Sequence, residues 1–350
     1  MTMNKIKSLR EKMIYVDRNN CEYERRLNKK NVELGAYPSE LSMPIGIQFE
    51  LTAKCNMFCK HCYNNSYLER NSEMKISNWL NVVDDINGNG GIFQCILSGG
   101  EPLLLGKDLY KIMDPLHNEG TAFVIITNGY LVNEQIVKKL KAYDYYWIQV
   151  SIDHLISSKH DEFRGKTGSW KRAVNAALLF SAAGFPLRIA HSLTPESLEY
   201  LPDFVEFCYT LGASSVVCGE VLPSGRANSN NDLLMHESDY EQMYKIINDL
   251  EREYSGKMNI LRSANEAVEM RHHQQSLNSS VIIRPDGSVR LDCTMPFSIG
   301  NVFERKFSDI WREKGNTCWN DSRVESYIND IEKHGCSTMA VNHMTPDIQI

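Results

Sequence analysis

The sequence predicts an α/β protein whose main unit is a partial (β/α)6 barrel, followed by a small C-terminal α+β extension that contains a β-hairpin. Six short, apolar and β-rich runs alternate with helix-like stretches from Pro44 onward. Strands that alternate with helices in this way form right-handed crossovers and a parallel sheet. Two further strands flank a Pro-Asp-Gly turn near the C-terminus, which indicates the hairpin. Periodicity alone also allows a plain doubly wound sheet.

The barrel elements follow in chain order. Strands are predicted at Ile47–Leu51, Phe93–Ser98, Ala122–Thr127, Trp147–Ile152, Leu187–Leu193 and Ser214–Val217. Helices are predicted between and after them at Ser77–Ile86, Gly106–Asn118, Asn133–Ala142, Ser169–Ala183 and Leu198–Leu211. Gly184 and Gly212 stand where a glycine commonly ends a helix.

The regions outside the barrel divide the chain into three parts. Residues 1–43 are charged and weakly periodic, and we expect an N-terminal extension with a helix near Lys5–Met13. The barrel spans residues 44–227, and a polar run at residues 228–232 indicates the boundary of the C-terminal part, residues 228–350. That part is predicted to contain, in order, Ser238–Tyr254 (helix), Asn265–Gln275 (helix), Ser280–Ile283 (strand), Val289–Asp292 (strand), Phe307–Lys314 (helix) and a polar tail.

Composition limits the classes of protein to consider. The 350 residues are 42% apolar and 23% charged, as in soluble globular proteins. The net charge of −6 gives no basic field for nucleic acid or anionic lipid. No apolar run is long enough to span a membrane, and the N-terminus lacks a signal-peptide core. Ten cysteines in such a chain indicate a reducing compartment, so we expect a cytoplasmic protein without nucleic-acid or membrane partners.

Three cysteines, Cys55, Cys59 and Cys62, lie within eight residues directly after the first predicted strand. Thiolates bind iron–sulfur clusters and zinc, but structural zinc usually takes four ligands in paired C-x2-C halves. A disulfide framework is uncommon without a secretory signal, and a chance group of buried thiols does not suit so polar a stretch. A cubane [4Fe–4S] cluster normally takes four cysteines, so three leave one iron open to another ligand.

Polar loops follow the next three predicted strands. They are Ser98-Gly-Gly-Glu-Pro102, Thr127-Asn128-Gly129 and Ser151-Ile-Asp153, the last followed by His160-Asp-Glu-Phe-Arg164. Each alone is also consistent with an ordinary turn, a helix cap or a surface arginine. The carboxyl ends of parallel strands form one edge of the sheet, which is where such folds bind ligands.

Together with C-x3-C-x2-C, these loops resemble the motifs of the radical S-adenosylmethionine (radical SAM) superfamily, over about residues 45–227. The resemblance implies that Cys55, Cys59 and Cys62 are the catalytic residues that hold a [4Fe–4S] cluster, whose open iron binds SAM. It implies reductive cleavage of SAM to a 5′-deoxyadenosyl radical that abstracts hydrogen from a substrate, with flavodoxin or ferredoxin as the electron donor. The residues that it assigns to SAM binding are His61, Gly99, Gly100, Glu101, Pro102, Asn128, Ser151, Asp153, Arg164 and Ser192.

The stretch Val281–Cys293, with Gly300-Asn301-Val302 and Ile310-Trp311, is similar to the hairpin of SPASM and Twitch extensions, which bind auxiliary iron–sulfur clusters. The cysteine that normally precedes the hairpin and the dense C-x2-C group that follows it are missing. One interpretation is a single auxiliary cluster that uses Cys293, Cys318 and Cys336. The other is that these cysteines are inert buried thiols.

The run Pro223-Ser-Gly-Arg226-Ala227 looks like a run found in radical SAM peptide-maturing and sulfatase-maturing enzymes. The resemblance implies that the substrate is a ribosomally made precursor peptide, modified by a crosslink, a thioether or epimerisation. One alternative is a radical SAM dehydrogenase or other enzyme that acts on a small molecule such as a sugar or aminoglycoside. Another is a non-enzymatic zinc- or cluster-binding protein, which does not account for the motifs on successive strand ends.

Overall fold

The computed structural model of the chain describes residues 32–36, 38–67, 73–262, 266–334, 341–343 and 345–350. The helix predicted at Lys5–Met13 and the residues Cys21 and Cys336 lie outside these ranges. None of the described helices has both the length and the apolar character needed to cross a bilayer.

A single sheet of eleven strands organises the described residues. The strands are β1 (Gly46–Glu50), β2 (Gln94–Ser98), β3 (Ala122–Thr127), β4 (Tyr145–Ser151), β5 (Leu187–Leu193), β6 (Ser215–Glu220), β7 (Asn259–Arg262), β8 (Ser280–Ile283), β9 (Ser288–Arg290), β10 (Phe297–Asn301) and β11 (Ile348–Gln349). Their order in the sheet is β11-β10-β9-β8-β1-β2-β3-β4-β5-β6-β7. From β8 to β7 every pair is parallel, and β9 runs antiparallel to both β8 and β10. The sheet is open, as the predicted partial barrel requires, and the α/β fold class is confirmed.

Ten α-helices are described. They are α1 (Ile76–Gly88), α2 (Lys107–Asn118), α3 (Glu134–Leu140), α4 (Ser157–Arg164), α5 (Ser169–Ala182), α6 (Leu201–Thr210), α7 (Glu237–Glu253), α8 (Glu266–Gln275), α9 (Phe307–Ile310) and α10 (Ser322–His334). After α5 and α6, Gly184 and Gly212 take the left-handed conformation at φ 80° and 81°, as predicted for glycines that end helices.

The strands bury one face against the helices and turn the other toward the inside of the barrel. Side chains alternate along a strand, so on β5 Leu187, Ile189 and Leu193 belong to the main core, whereas Arg188 and Ser192 are only half-buried on the inner face. A similar alternation runs along most of β2 and β4. The core therefore lies between sheet and helices, and the inner face stays accessible to a ligand.

Several sequence predictions need correction. The predicted loop before Arg164 is helix α4, and β7 and β10 were not predicted. The C-terminal stretch predicted as a polar tail contains α10, because apolar side chains at Val324, Tyr327, Ile328 and Ile331 form one buried stripe. The helix predicted at Phe307–Lys314 is α-helical only to Ile310 and continues as a wider π turn, Trp311–Gly315.

The C-terminal hairpin joins the barrel sheet directly. Strand β8 pairs in parallel with β1, and Gly46 lies opposite Ser280. Strand β7 extends the other edge beyond the polar run at residues 228–232. A division of the chain at residue 228 therefore stays a prediction, since the sheet continues on both sides of it.

Candidate metal centre

The cysteine-bearing segment, residues 52–67 (the cysteine loop), leaves the carboxyl end of β1. Its two ends meet where Lys54 bridges Tyr67 and the N–H of Cys55 donates to the carbonyl of Tyr67 over 3.0 Å. The loop is therefore closed on itself, which places Cys55, Cys59 and Cys62 on one compact segment. Cys59 is buried, while Cys55 and Cys62 are half-buried.

Each of the three sulfur atoms has one N–H donor within 4 Å. The donors are Asn128 Nδ2 at 3.9 Å from Cys55 Sγ, an Arg164 terminal nitrogen at 3.9 Å from Cys59 Sγ, and the Ser66 backbone nitrogen at 3.4 Å from Cys62 Sγ. Such donors stabilise a thiolate, and hydrogen bonds to sulfur set the potentials of iron–sulfur clusters. The donor set therefore suits an iron–sulfur cluster.

The three thiols of the cysteine loop are not arranged as the ligands of a single metal ion. Among the described residues, no three His, Cys, Asp or Glu side chains come together as a site for a single metal ion. Burial and then the Glu101 carboxylate raise the pKa of Cys55 to about 12, and burial raises the pKa of Cys59 against the opposing effect of Arg164. Binding a cluster must therefore release protons from these thiols.

Gly99 and Gly100, at the end of β2, pack against the backbone of the cysteine loop. The Gly100 N–H donates to the carbonyl of Thr52 over 2.6 Å, and a Cβ on Gly100 would lie 2.2 Å from the carbonyl oxygen of Lys54. A Cβ on Gly99 would lie 2.5 Å from the Thr52 carbonyl oxygen. The lack of a side chain at both glycines therefore allows the end of β2 to lie directly against the cysteine loop.

Glu101 ties the ends of β2 and β3 together. One of its carboxylate oxygens accepts hydrogen bonds from the Leu103 N–H at 3.1 Å and the Thr127 hydroxyl at 2.8 Å, and the other accepts from the Asn128 N–H at 2.8 Å. Burial raises the pKa of Glu101 to about 7. Pro102, directly after it, is buried and begins the 3-10 turn Pro102–Leu105.

Asp153, beyond the end of β4, binds Arg164 and the strand beside it. Its carboxylate accepts from Arg164 Nε and, over 2.8 Å, from the backbone N–H of Ser192. Burial raises the pKa of Asp153, but the charge of Arg164 more than offsets this, and the pKa lies below its ordinary value. Arg164 is thus held between Asp153 and Cys59. Ser151 and Ser192 are half-buried at the same edge of the sheet.

His61 lies within the cysteine loop and stacks on the ring of Phe163, at 4.5 Å between ring centroids. Phe163 belongs to α4, and its carbonyl accepts from the Lys60 N–H over 2.9 Å. Helix α4 therefore supports the cysteine loop at Lys60 and His61.

Arg226 contributes to the site in a way that the sequence did not show. Its Nε donates to the carbonyl of Cys59 over 2.7 Å, and a terminal nitrogen donates to Asn65 Oδ1 at 3.0 Å and to the Ser66 carbonyl at 3.1 Å. Its guanidinium also lies 4.1 Å from the ring centroid of Phe58. Arg226 therefore binds the backbone carbonyls of the cysteine loop.

A buried group of charges lies behind the cysteine loop and was also missed. Glu50 accepts from Asn64 Nδ2 over 3.0 Å and lies 3.8 Å from Arg284 Nε. Arg284 and Arg290 both pair with Asp347, and all four charged side chains are 1–2% exposed. The sequence signal was a glutamate inside an apolar strand and two arginines on either side of the Pro-Asp-Gly turn.

Two of the three C-terminal cysteines, Cys293 and Cys318, lie in the described part of the chain. Cys293 is half-buried in the loop after β9. Cys318 is buried, and its thiol donates to the Gly315 carbonyl and accepts from Asn278 Nδ2, both at 3.4 Å. Among the residues that the structure describes, these two cysteines form no group of metal ligands with a third side chain.

Comparisons with known proteins give relatives for most of the chain. The subtilosin biosynthesis protein AlbA of Bacillus subtilis is 27% identical over 304 residues, which cover 81% of this chain and 65% of AlbA. An AdoMet-dependent heme synthase of Methanosarcina barkeri is 26% identical over 287 residues, 76% of this chain and 81% of that protein. The chain thus spans just under two thirds of the length of AlbA.

The fold matches Streptococcus suis SuiB bound to S-adenosylmethionine, with a TM-score of 0.65 and 17% identity, over 91% of this chain and 81% of SuiB. SuiB bound to its precursor peptide SuiA matches with a TM-score of 0.63 and 18% identity, over 90% and 74%. Two family models also match, the radical SAM superfamily over residues 49–208 and SPASM, an iron–sulfur cluster-binding domain, over residues 275–336. Residues 49–208 therefore form a radical SAM superfamily domain, and a SPASM domain follows at residues 275–336.

Proposed function

We propose that the chain is a radical SAM enzyme that modifies a ribosomally made precursor peptide. The observation that carries the proposal is the cysteine loop, in which three cysteine sulfurs each receive an N–H donor at the carboxyl edge of a parallel sheet. Soft thiolate ligands and directed N–H groups favour an iron–sulfur cluster over a mononuclear ion.

Cys55, Cys59 and Cys62 would hold the [4Fe–4S] cluster. The adjoining strand ends would hold S-adenosylmethionine through residues that the motifs name, namely His61, Gly99, Gly100, Glu101, Pro102, Asn128, Ser151, Asp153, Arg164 and Ser192. When bound, the two groups supply a one-electron cleavage that produces a carbon radical able to remove hydrogen from an unreactive C–H bond.

The contribution of the protein is to orient these groups and to exclude water. Asp153 fixes the direction of Arg164, so that the guanidinium faces Cys59. Arg164 is charged at every relevant pH, and its planar fork suits a carboxylate such as that of the SAM methionine moiety. Glu101 fixes the end of β3 and thereby the Asn128 side chain beside Cys55.

Similarity to AlbA and to SuiB, whose complex with the peptide SuiA has been solved, supports a precursor peptide as substrate. Similarity to an AdoMet-dependent heme synthase supports a second candidate function, that of an enzyme that acts on a small molecule. A low-potential donor such as flavodoxin or ferredoxin would supply the electron.

The proposal is tested by anaerobic reconstitution of the wild type and a Cys55/Cys59/Cys62→Ala variant, followed by counting of iron and sulfide. SAM and dithionite should yield 5′-deoxyadenosine from the wild type and not from the variant. The matched control is Cys95/Cys208/Cys218→Ala, which removes three buried thiols that lie in the main core. Equal 5′-deoxyadenosine from the wild type and the first variant, or none from the wild type, would contradict the proposal.

A further inference from the structure

A polar patch on the inner face of the barrel is not used by the proposed cofactor site. It consists of Trp147 and Gln149 on β4, Arg188 on β5 and Ser215 on β6 (the inner patch). In the sheet register Gln149 lies opposite Arg188, which lies opposite Ser215. Trp147 lies opposite Val124 of β3, because the register shifts between Phe123 and Val124.

The exposure of these side chains shows which way they face. Trp147, Gln149 and Arg188 are half-buried and do not belong to the core between sheet and helices, whereas their strand neighbours Ile148 and Ile189 do. Because side chains alternate along a strand, the half-buried residues line the inside of the barrel.

Arg188 is the charged member of the inner patch, and among the described residues its guanidinium contacts a ring and a hydroxyl rather than a carboxylate. Its guanidinium carbon lies 3.8 Å from the centroid of the Trp147 ring, and its Nε donates to the Ser215 hydroxyl over 3.1 Å. Within the described part of the chain, no carboxylate lies within ion-pair distance of it. This differs from Arg164, Arg284 and Arg290, which all pair with an aspartate.

A guanidinium that is half removed from water without a counter-ion costs free energy. Burial alone lowers the pKa of Arg188, and no neighbouring charge counters it. The Nε1–H group of the Trp147 indole is also buried and has no acceptor among the described residues. A carboxylate that enters the barrel would supply the missing negative charge beside Arg188.

We infer that Arg188 binds a carboxylate of the substrate inside the barrel, with Trp147 as the ring beneath its guanidinium. The inference rests on the proposed function and names the chemical class of its substrate. The terminal nitrogens of the guanidinium remain for the ligand, since Nε is taken by Ser215. A carboxylate accepts two parallel N–H bonds from such a fork, which gives it a fixed orientation.

The position of Arg188 along β5 fits this role. Arg188 precedes Ser192 by four residues, which is about 13 Å along a strand. Ser192 lies at the edge where the cofactors are proposed, and Ala190 between them lies opposite Ser151. A ligand held by its carboxylate at Arg188 would reach the cofactor edge if it spans about 13 Å, roughly four extended peptide residues.

The test uses reconstituted protein labelled with 5-fluorotryptophan. The chain has five tryptophans, and a Trp147→Phe variant assigns the ¹⁹F resonance of Trp147. Three probes are titrated at constant ionic strength, namely N-acetylglutamate α-amide, N-acetylalanine and N-acetylglutamine α-amide. The first carries a side-chain carboxylate, the second a terminal carboxylate, and the third is the uncharged isostere of the first.

We expect at least one carboxylate probe to shift the Trp147 resonance saturably, and the probe that does so identifies a side-chain or a terminal carboxylate. Arg188→Gln should abolish the shift, and Arg188→Lys should weaken binding about tenfold, since an ammonium lacks the fork. Arg172→Gln, at an exposed arginine near Tyr130, should leave it unchanged. An equal shift with the glutamine probe, persistence in Arg188→Gln, or no shift with any probe would overturn the inference.

A second readout separates this inference from the proposed function. Without substrate, Arg188→Gln should form 5′-deoxyadenosine at the wild-type rate, because the inner patch lies below the cofactor edge. Absence of 5′-deoxyadenosine from both proteins counts against the proposed function and leaves the ¹⁹F result valid. Loss of it in Arg188→Gln alone counts against the inference, because Arg188 would then support the cofactor site.

Discussion

Arg226 Nε donates a 2.7 Å hydrogen bond to the backbone carbonyl of Cys59, 167 positions earlier in the chain. The segment after β6 therefore fixes the conformation of the cysteine loop that follows β1. Gly225 makes this contact possible, because it has φ 58° and a Cβ there would lie 2.4 Å from the carbonyl oxygens of Cys62 and Tyr63.

Arg226→Lys should weaken the hold on the cluster while leaving the fold intact. A lysine cannot reach the Cys59 carbonyl, Asn65 and the Ser66 carbonyl together, and each charged hydrogen bond contributes about 1.5–3 kcal/mol. We expect iron to be lost to a chelator roughly tenfold faster, a factor that corresponds to about 1.4 kcal/mol. Iron content over time checks this, with Arg172→Lys as the control. Equal rates of loss would show that Arg226 does not stabilise the loop.

Gly100→Ala should destabilise the protein by about 1–3 kcal/mol, the range for overpacking, because the added Cβ meets the Lys54 carbonyl. The control is Gly88→Ala at the end of α1, where a Cβ meets nothing within 4 Å. That change should be neutral or stabilising. Urea unfolding of both variants checks the prediction. A Gly100→Ala protein as stable as the wild type would mean that β2 and the cysteine loop are less closely packed than described.

Asp347→Asn should show how the buried charges respond to pH. Burial raises the pKa of Asp347, but the charges and hydrogen bonds of Arg290 and Arg284 outweigh this effect. The folded pKa of Asp347 therefore lies below the ordinary value. The carboxylate therefore stabilises the fold above about pH 4, the unfolded value, and this stability is lost as the pH falls through the folded pKa. Removing one partner of a buried pair costs about 3–5 kcal/mol.

The measurement is the free energy of unfolding of wild type and Asp347→Asn between pH 7 and the acid limit of folding. The difference in unfolding free energy between the wild type and Asp347→Asn should be constant near neutral pH and should shrink below about pH 4. Asp309→Asn, in an exposed pair with Arg312, should cost no more than about 1 kcal/mol. A difference that does not change with acidity would contradict the role of Asp347.

Iron that remains in the Cys55/Cys59/Cys62→Ala variant tests for an auxiliary cluster. The SPASM match leads us to expect residual iron and sulfide. Adding Cys293→Ala should remove them, because Cys293 is a half-buried thiol in a loop. Adding Cys318→Ala instead should change the iron content little, since that thiol is bonded within the core. Residual iron that survives Cys293→Ala would assign the auxiliary site to other ligands.

The sequence was most informative where a local pattern decides the structure. Strand β5 has the predicted bounds, Leu187–Leu193, because its apolar residues alternate and a glycine ends the helix before it. Helix α4 was missed because its eight residues carry few apolar side chains, and β7 because it is a four-residue edge strand. The three cysteines were found from their spacing, which reflects local chain geometry.

The supporting contacts could not be predicted, because they depend on pairs far apart in the chain. Arg290 and Asp347 are 57 residues apart, and the segments that carry them meet only after β8 and β9 join the sheet. No local pattern tells whether an arginine binds a carbonyl, an aspartate or a substrate. Arg188, Arg226 and Arg284 look alike in the sequence and have three different environments in the fold.

The pairing of β8 with β1 has a consequence for shortened forms of the protein. A chain cut before Ser280 would leave the backbone donors and acceptors of β1 exposed along one side. Unprotected strand edges of this kind invite association with other chains and aggregation. The C-terminal hairpin thus acts as a cover for the strand that leads into the cysteines, and an isolated barrel would be poorly soluble however well its own core is packed.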